Sequence, residues 1–284
     1  MFQFGTQQRS SYNFRFACEL ARNKKIGELK TVVLGGVGGG SRGDTPPMPA
    51  PEPVPVGFDY DMWLGPAPWA PYCEQRCSRS WMGIQDYCLG GLSGAWGIHD
   101  VDIAQWVCDA DDSGPIEVEG TGDIPSDGLF TAVTAWTVRH KYASGVEMLH
   151  MDARAVRDYM KENGYPELPW MGVMFIGSDG WVFANRQRLL ASSSRLLGIA
   201  FSPDDERLYF SNDHARNFIN CVRSRKRTIC PVESAVRSDT VCHLDDMAIR
   251  LGRKLRWDPV KEQVVDDDEA NRMLSRSMRS PWHL

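Results

Sequence analysis

A glycine run that leads straight into prolines constrains this chain more than any other feature. Gly35-Gly36-Val37-Gly38-Gly39-Gly40-Ser41-Arg42-Gly43 is followed by Asp44-Thr45-Pro46-Pro47-Met48-Pro49-Ala50-Pro51. Gly38, Gly40 and Gly43 satisfy G-x-G-x-x-G, and an apolar run at 29–34 precedes them as a strand. A dinucleotide fingerprint works only where the loop opens a helix whose N-terminal amides hold the pyrophosphate. Proline at this density forbids that helix. The segment reads as a flexible glycine loop running into a Pro-rich surface stretch. No cofactor-binding residues are assigned in this chain.

The rest of the pattern points to an α+β fold. Residues 1–6 read as a short strand. A helix capped by Ser10 or Ser11 runs to about Ile26, with Phe14, Ala17, Leu20 and Ala21 as its apolar stripe and Gly27 as its stop. Residues 58–90, rich in Trp, Tyr and Pro, read as an irregular loop with short helical turns, and 93–107 as a helix. Strands are expected over Ile116–Gly122, Thr131–His140 and Val146–Met151, the last pairing with the second. Ala153–Glu162 is helical. Gly172–Ile176 and Trp181–Asn185 form a hairpin over Asp179-Gly180. Asp213 caps a helix to about Ser224, and Pro231 opens a longer one to Leu251 that Gly252 stops. A short strand at 255–257 and a small helix end the chain. Adjacent strands between helices predict a large open, mostly antiparallel β-sheet from strands within about 115–210, with helices packed on one face. The exposed face should be apolar and should pair with a second copy, because an open sheet otherwise leaves a sticky surface.

Charge and cysteine content narrow the function classes. Lys and Arg number 32 against 37 Asp and Glu, a net charge of −5, which disfavours nonspecific nucleic-acid binding. Residues 80–138 hold ten acidic residues and no Lys or Arg. Such a stretch favours cations or polyhydroxylated ligands, or is a solvated face. No apolar run approaches the length of a membrane helix, and the N-terminus carries no secretory pattern. The eight cysteines contain no C-x-x-C pair, so reduced thiols in a cytoplasmic protein are expected and no metal site. Asp109-Ala110-Asp111-Asp112-Ser113-Gly114 begins like a calcium loop, but Gly120 stands where the bidentate Glu belongs, so it reads as an acidic turn.

The segment from Gly90 to Trp106 is the richest in chemistry. His99, Asp102 and Trp106 lie at i, i+3 and i+7 of a helix, placing imidazole, carboxylate and indole on one face. A carboxylate-oriented histidine is a workable proton-transfer unit, and an indole is a sugar-stacking surface. A structural His–Asp hydrogen bond at a packed helix would give the same spacing.

Several segments together resemble the glucose–fructose oxidoreductase / inositol dehydrogenase (Gfo/Idh/MocA) family. They are Gly5-Thr6-Gln7-Gln8-Arg9-Ser10, Asp61-Met62-Trp63-Leu64-Gly65-Pro66-Ala67-Pro68-Trp69 with Pro71-Tyr72, Trp96 to Trp106, Gly180-Trp181-Val182-Phe183, Arg216-Asn217-Phe218 and Met273-Leu274-Ser275-Arg276. The likeness implies an N-terminal Rossmann domain binding NAD or NADP in full-length relatives, followed by an α+β domain that shapes the substrate pocket and makes the oligomer contact. On this basis residues 1–28 are the remnant last strand and helix of a Rossmann domain, and 29–284 the substrate and oligomerisation domain. The family's Glu-Lys-Pro motif is absent, and Ala95 stands where a carboxylate often precedes the catalytic histidine.

The resemblance implies a sugar-sized pocket where the Gln7–Arg9 turn, the Tyr72–Asp86 loop and the start of the His99 helix converge. Gln8, Arg9, Tyr72, Trp81 and Asp86 would bind a sugar or cyclitol. His99 would transfer the proton, with Asp102 or Asp86 orienting it. Three readings follow: the substrate-binding half of a sugar oxidoreductase, working as a homodimer or tetramer; a cofactor-independent lyase, hydrolase or epimerase using His99 as acid/base; and a non-catalytic carbohydrate-binding or scaffold protein. Neither nucleic acid nor a membrane is an expected partner.

Overall fold

Nine strands make one open sheet in the computed structural model, which describes residues 1–36, 47–94, 96–167 and 171–283. The G-x-G-x-x-G match at Gly38–Gly43 and the Ala95 position lie outside the described residues. The strands are β1 (Leu29–Gly36), β2 (Glu117–Asp123), β3 (Ala135–Lys141), β4 (Glu147–Asp152), β5 (Gly172–Gly177), β6 (Trp181–Ala184), β7 (Leu189–Ala191), β8 (Leu255–Asp258) and β9 (Gln263–Val264). Their order is β7-β6-β5-β1-β4-β3-β2-β8-β9. The helices are α1 (Tyr12–Arg22), α2 (Tyr60–Leu64), α3 (Glu74–Cys77), α4 (Gly97–Val107), α5 (Ala153–Glu162), α6 (Ser194–Leu197), α7 (His214–Ser224), α8 (Val232–Leu251) and α9 (Asp268–Arg272).

The sheet is wider than the expected 115–210 span. β1, from upstream of that span, lies near its centre between β5 and β4, and β8 and β9 extend its far edge. β1 and β4 are parallel, which the long connection between them permits, and the other pairings are antiparallel. The β3–β4 and β5–β6 pairings match the expected ones. Residues 1–6 form no strand. Their backbone attachment is the Phe4 amide on the Cys230 carbonyl at 2.8 Å.

Local chemistry sets the helix ends. Asp213 caps α7 by accepting from the Arg216 amide, and Asp152 caps α5 by accepting from Arg154 and Ala155. Gly252 ends α8 at φ +63°, a left-handed conformation that glycine adopts without strain.

The core lies between the sheet and one layer of helices. α1, α4 and α8 bury Phe14, Leu20, Val101, Ile103, Leu244 and Met247 against Val32, Leu34, Val138 and Phe175 of the sheet. Residues 12–22 thus share one core with α4, α8 and strands of the sheet. Helices are not confined to this face. α5 covers part of the other, where Val156 and Met160, one turn apart, pack on Val33, Met174 and Phe183. Each such side chain removed from water contributes about 1.5–3 kcal/mol. The open face is therefore apolar around β1, β5 and β6, whereas β3 turns the exposed Thr137, Arg139 and Lys141 outward. No helix among the described residues is long and apolar enough to cross a membrane.

Candidate active site

The N-terminus of α4 puts His99 at the edge of the core. The helix starts there because the chain crosses its own upstream turn closely. A Cβ on Gly97 would sit 2.1 Å from the Leu92 carbonyl oxygen, so only glycine fits. The amides of Ile98 and His99 then bond the Ser93 and Trp96 carbonyls. His99 is half-buried, its ring tilted against Trp96 at 5.6 Å. Its Nδ1 has no hydrogen-bond partner among the described residues. Burial, then the positive charge of Arg186, push its pKa below the usual histidine value, and Asp102 opposes them only in part. The imidazole is thus neutral near pH 7.

Arg186 comes from the turn between β6 and β7. Its guanidinium lies 4.1 Å from the centre of the Trp96 ring, a cation–π contact. Beside it is a cavity of about 160 Å³ lined by Gln8, Trp96, Met171, Gly172, Asn185, Arg186 and Gln187. Asp100, one residue beyond His99, is buried, with the side chains of Gln8 and Trp96 facing its carboxyl group. Burial pushes its pKa up to about 6, although Gln8, His150, Trp96 and Arg186 all favour the charged form.

The sequence-predicted residues do not converge. Gln8 lines the His99-side cavity. Arg9 does not, because its guanidinium is 1% exposed and fully engaged. It binds Asp102 through Nε and Nη2 at 2.7 Å each, and Asp111 through Nη1 at 2.8 Å and Nη2 at 2.7 Å. It also stacks over Trp106 at 5.2 Å. Burial works against the Arg9 charge, but the two carboxylates outweigh it and hold its pKa above the usual value. Asp102 accordingly does not orient His99. Both its oxygens accept from Arg9, and one accepts from Ser238 as well. The acidic turn at 109–114 supplies Asp111 to Arg9 and Asp109 to Arg22.

Trp81 and Asp86 line a different groove, of about 610 Å³, with Trp63, Tyr87 and Arg276. Asp86 thus lines that groove and not the cavity beside Trp96. Tyr72 packs edge-on against Tyr60 at 5.3 Å and Phe58 at 6.0 Å. The loop is held in place by its own bonds. Thr131 and Ala132 amides bind the Gly83 carbonyl, Gln85 donates to the Thr131 hydroxyl, and Arg276 donates to the Gln85 carbonyl. Arg186, Asn185 and Asp100 were missed by sequence reasoning. The one available signal was a polar Asn-Arg-Gln-Arg run between two apolar strands.

The family model described as "Oxidoreductase family, C-terminal alpha/beta domain" (GFO_IDH_MocA_C2) matches residues 46–284, and the chain belongs to that Gfo/Idh/MocA family. Solved structures share the fold. The WlbA dehydrogenase from Bordetella pertussis, in complex with NADH and UDP-GlcNAcA, is 11% identical with a TM-score of 0.56, over 90% of this chain and 63% of its own. The aldose–aldose oxidoreductase from Caulobacter crescentus, complexed with glycerol, is 14% identical with a TM-score of 0.53, over 89% and 63%. The myo-inositol 2-dehydrogenase from Lactobacillus plantarum is 14% identical with a TM-score of 0.52, over 90% and 65%. The alignments thus span less than two thirds of these relatives. A search of curated protein sequences gives no match.

Proposed function

We propose that this chain is the substrate-binding half of an oxidoreductase acting on a sugar, glycoside or cyclitol. The observation that carries the reading is His99, whose pKa burial pushes down, beside an arginine-clamped indole, next to a cavity lined by Gln8, Asn185, Arg186 and Gln187. Neutral donors and acceptors set around a flat apolar ring suit hydroxyl groups on an aliphatic ring. A neutral imidazole can accept a hydroxyl proton near pH 7, and Arg186 disfavours the charged product, so the transfer is reversible. A nicotinamide would take up hydride in such a reaction. In this reading NAD or NADP is held by a nucleotide domain of which residues 1–28 are the last part, and residues 29–284 bind substrate. Two copies meet through the apolar sheet face near Ile176, Trp181 and Leu190. Light scattering at micromolar concentration should then give a dimer or tetramer, and a monodisperse monomer would exclude that contact.

Calorimetry and saturation-transfer NMR with myo-inositol, D-glucose and N-acetylglucosamine test the reading. At least one should bind, and Arg186→Ala should weaken it about tenfold, the equivalent of one lost cation–π or charged contact. Failure of all three to bind the folded chain would refute the proposal.

A further inference from the structure

The turn between β6 and β7 holds one cation in a fixed place. Asn185 closes the turn. Its Oδ1 accepts from the Gln187 amide at 2.9 Å and the Arg188 amide at 2.7 Å, and its own amide donates to the Arg188 carbonyl at 2.9 Å. Asn185 Nδ2 donates to the Met171 carbonyl at 3.3 Å, and Asn13 of α1 donates to the Asn185 carbonyl at 3.0 Å. The turn is thus tied to both the sheet and the helical layer. Arg186 stands at its tip, with its guanidinium 4.1 Å from the centre of the Trp96 ring. Gln7 steadies it as well. With its amide nitrogen donating to the Gly5 carbonyl at 2.6 Å, the Gln7 side-chain oxygen accepts from Arg186 Nη2 at 3.2 Å.

This cation has no anion. Arg9 reaches a carboxylate at 2.7 Å and Arg250 reaches one at 2.8 Å, but Arg186 makes no ion pair among the described residues. Asp100 does not fill the role. Its carboxyl faces Gln8 and Trp96, and Arg186 acts on it only through space. The cavity of about 160 Å³ that Arg186 lines has no Asp or Glu among its described lining residues, and no second Lys or Arg. Gln8 lines the same cavity. It is 2% exposed, and its Oε1 has no hydrogen-bond partner among the described residues. An amide oxygen can only accept, so a buried one requires an O–H or N–H from elsewhere. Asn185 offers nothing further to a ligand, because both its side-chain polar atoms are engaged in holding the turn. One cavity therefore joins a fixed, unpaired guanidinium to a buried, unpaired acceptor.

We propose that Arg186 reads a carboxylate and Gln8 Oε1 a hydroxyl, so that the preferred ligand of this site is a sugar acid, a polyhydroxylated ring bearing one carboxylate. This rests on the functional reading above and narrows it. A guanidinium has five N–H donors in a planar fork, and Gln7 occupies one of them. Stacking on Trp96 uses the face of the fork and leaves its edge for a carboxylate, whose two oxygens match paired N–H groups. The single positive charge suits a monoanion. A phosphate dianion carries more charge than Arg186 balances, and the cavity has no second cation to share it. The turn is held before any ligand arrives, so little ordering of the backbone is left to oppose binding.

Calorimetry of the full chain with D-glucuronate, D-glucose and D-glucose 6-phosphate tests it. Glucuronate should bind about tenfold or more tighter than glucose, the gain expected of one charge-assisted pair, and added salt should shrink that advantage. Arg186→Gln should bring the two affinities within about twofold of each other, since only the uronate loses a charge partner. Arg186→Lys should restore the preference only in part, because an ammonium keeps the charge and loses the fork. Arg186 is exposed, so both variants should keep the wild-type Tm. Gln8→Met should weaken glucuronate and glucose alike, by removing a hydroxyl acceptor and no charge. Equal affinity for glucuronate and glucose, or a preference that survives Arg186→Gln, would overturn the proposal and leave the sugar reading standing. Glucose 6-phosphate binding tighter than glucuronate would overturn the carboxylate assignment in favour of a phosphoryl group. If none of the three binds the folded chain, the sugar reading itself fails and this inference with it.

Discussion

Replacing Arg9 by methionine should be among the most destabilising single changes in this protein, and it should act on stability rather than on ligand affinity. The change removes five hydrogen bonds, three to Asp102 and two to Asp111. Asp111 is one-third exposed and can be rehydrated, but Asp102 is fully buried and keeps only the Ser238 hydroxyl. Leaving a buried charge without its partner costs about 3–5 kcal/mol. With an unfolding entropy of about 2.1 cal/mol/K per residue, a chain of this length loses roughly 5–8 °C of Tm for that energy. Differential scanning calorimetry at neutral pH measures it. The double variant Arg9→Met/Asp102→Leu should recover most of the loss, because no unpaired charge is then buried. A drop below about 1 °C in Arg9→Met, accompanied by lost sugar affinity, would refute the reasoning and return Arg9 to the ligand site.

Asp100 should impose a pH dependence of definite sign. Its folded pKa is raised from 3.8 to about 6, so its contribution is favourable below pH 4 and is lost as pH rises through 6. Asp100→Asn should therefore gain stability over wild type between pH 4 and 7, on the order of 3 kcal/mol for a shift of about two units. A difference between the two proteins that stays flat with pH in urea titrations would contradict this. Gly97→Ala should destabilise by several kcal/mol, since its Cβ would meet backbone at 2.1 Å, and should alter His99 chemical shifts more than those of α8. Wild-type Tm and His99 shifts in Gly97→Ala would show that the turn yields easily. Calorimetry of this chain with NAD and NADP should show no heat of binding, and a micromolar dissociation constant would place a nucleotide site within it.

Periodicity and end signals made much of the local structure legible. The Asp213 cap, the Gly252 stop, the 153–162 helix and the Asp179-Gly180 hairpin all depend on interactions within a few residues, and each was readable from the sequence. The combination of motifs likewise located the family. Tertiary structure decided which charges meet. Asp102 sits one turn from His99, so helical spacing suggested that pair, but Arg9 arrives from 93 residues upstream with a fork that matches both carboxylate oxygens. Nothing in the spacing weighs a bidentate guanidinium against an imidazole. The same holds for β1, whose central place depends on pairing with strands more than a hundred residues away, and for Arg186, which reaches Trp96 only after β6 has crossed the sheet. The Tyr72–Asp86 loop was expected at His99 because its aromatic residues suit a sugar. It docks instead on residues 131–132, because backbone amides there require acceptors and the Gly83 carbonyl provides one.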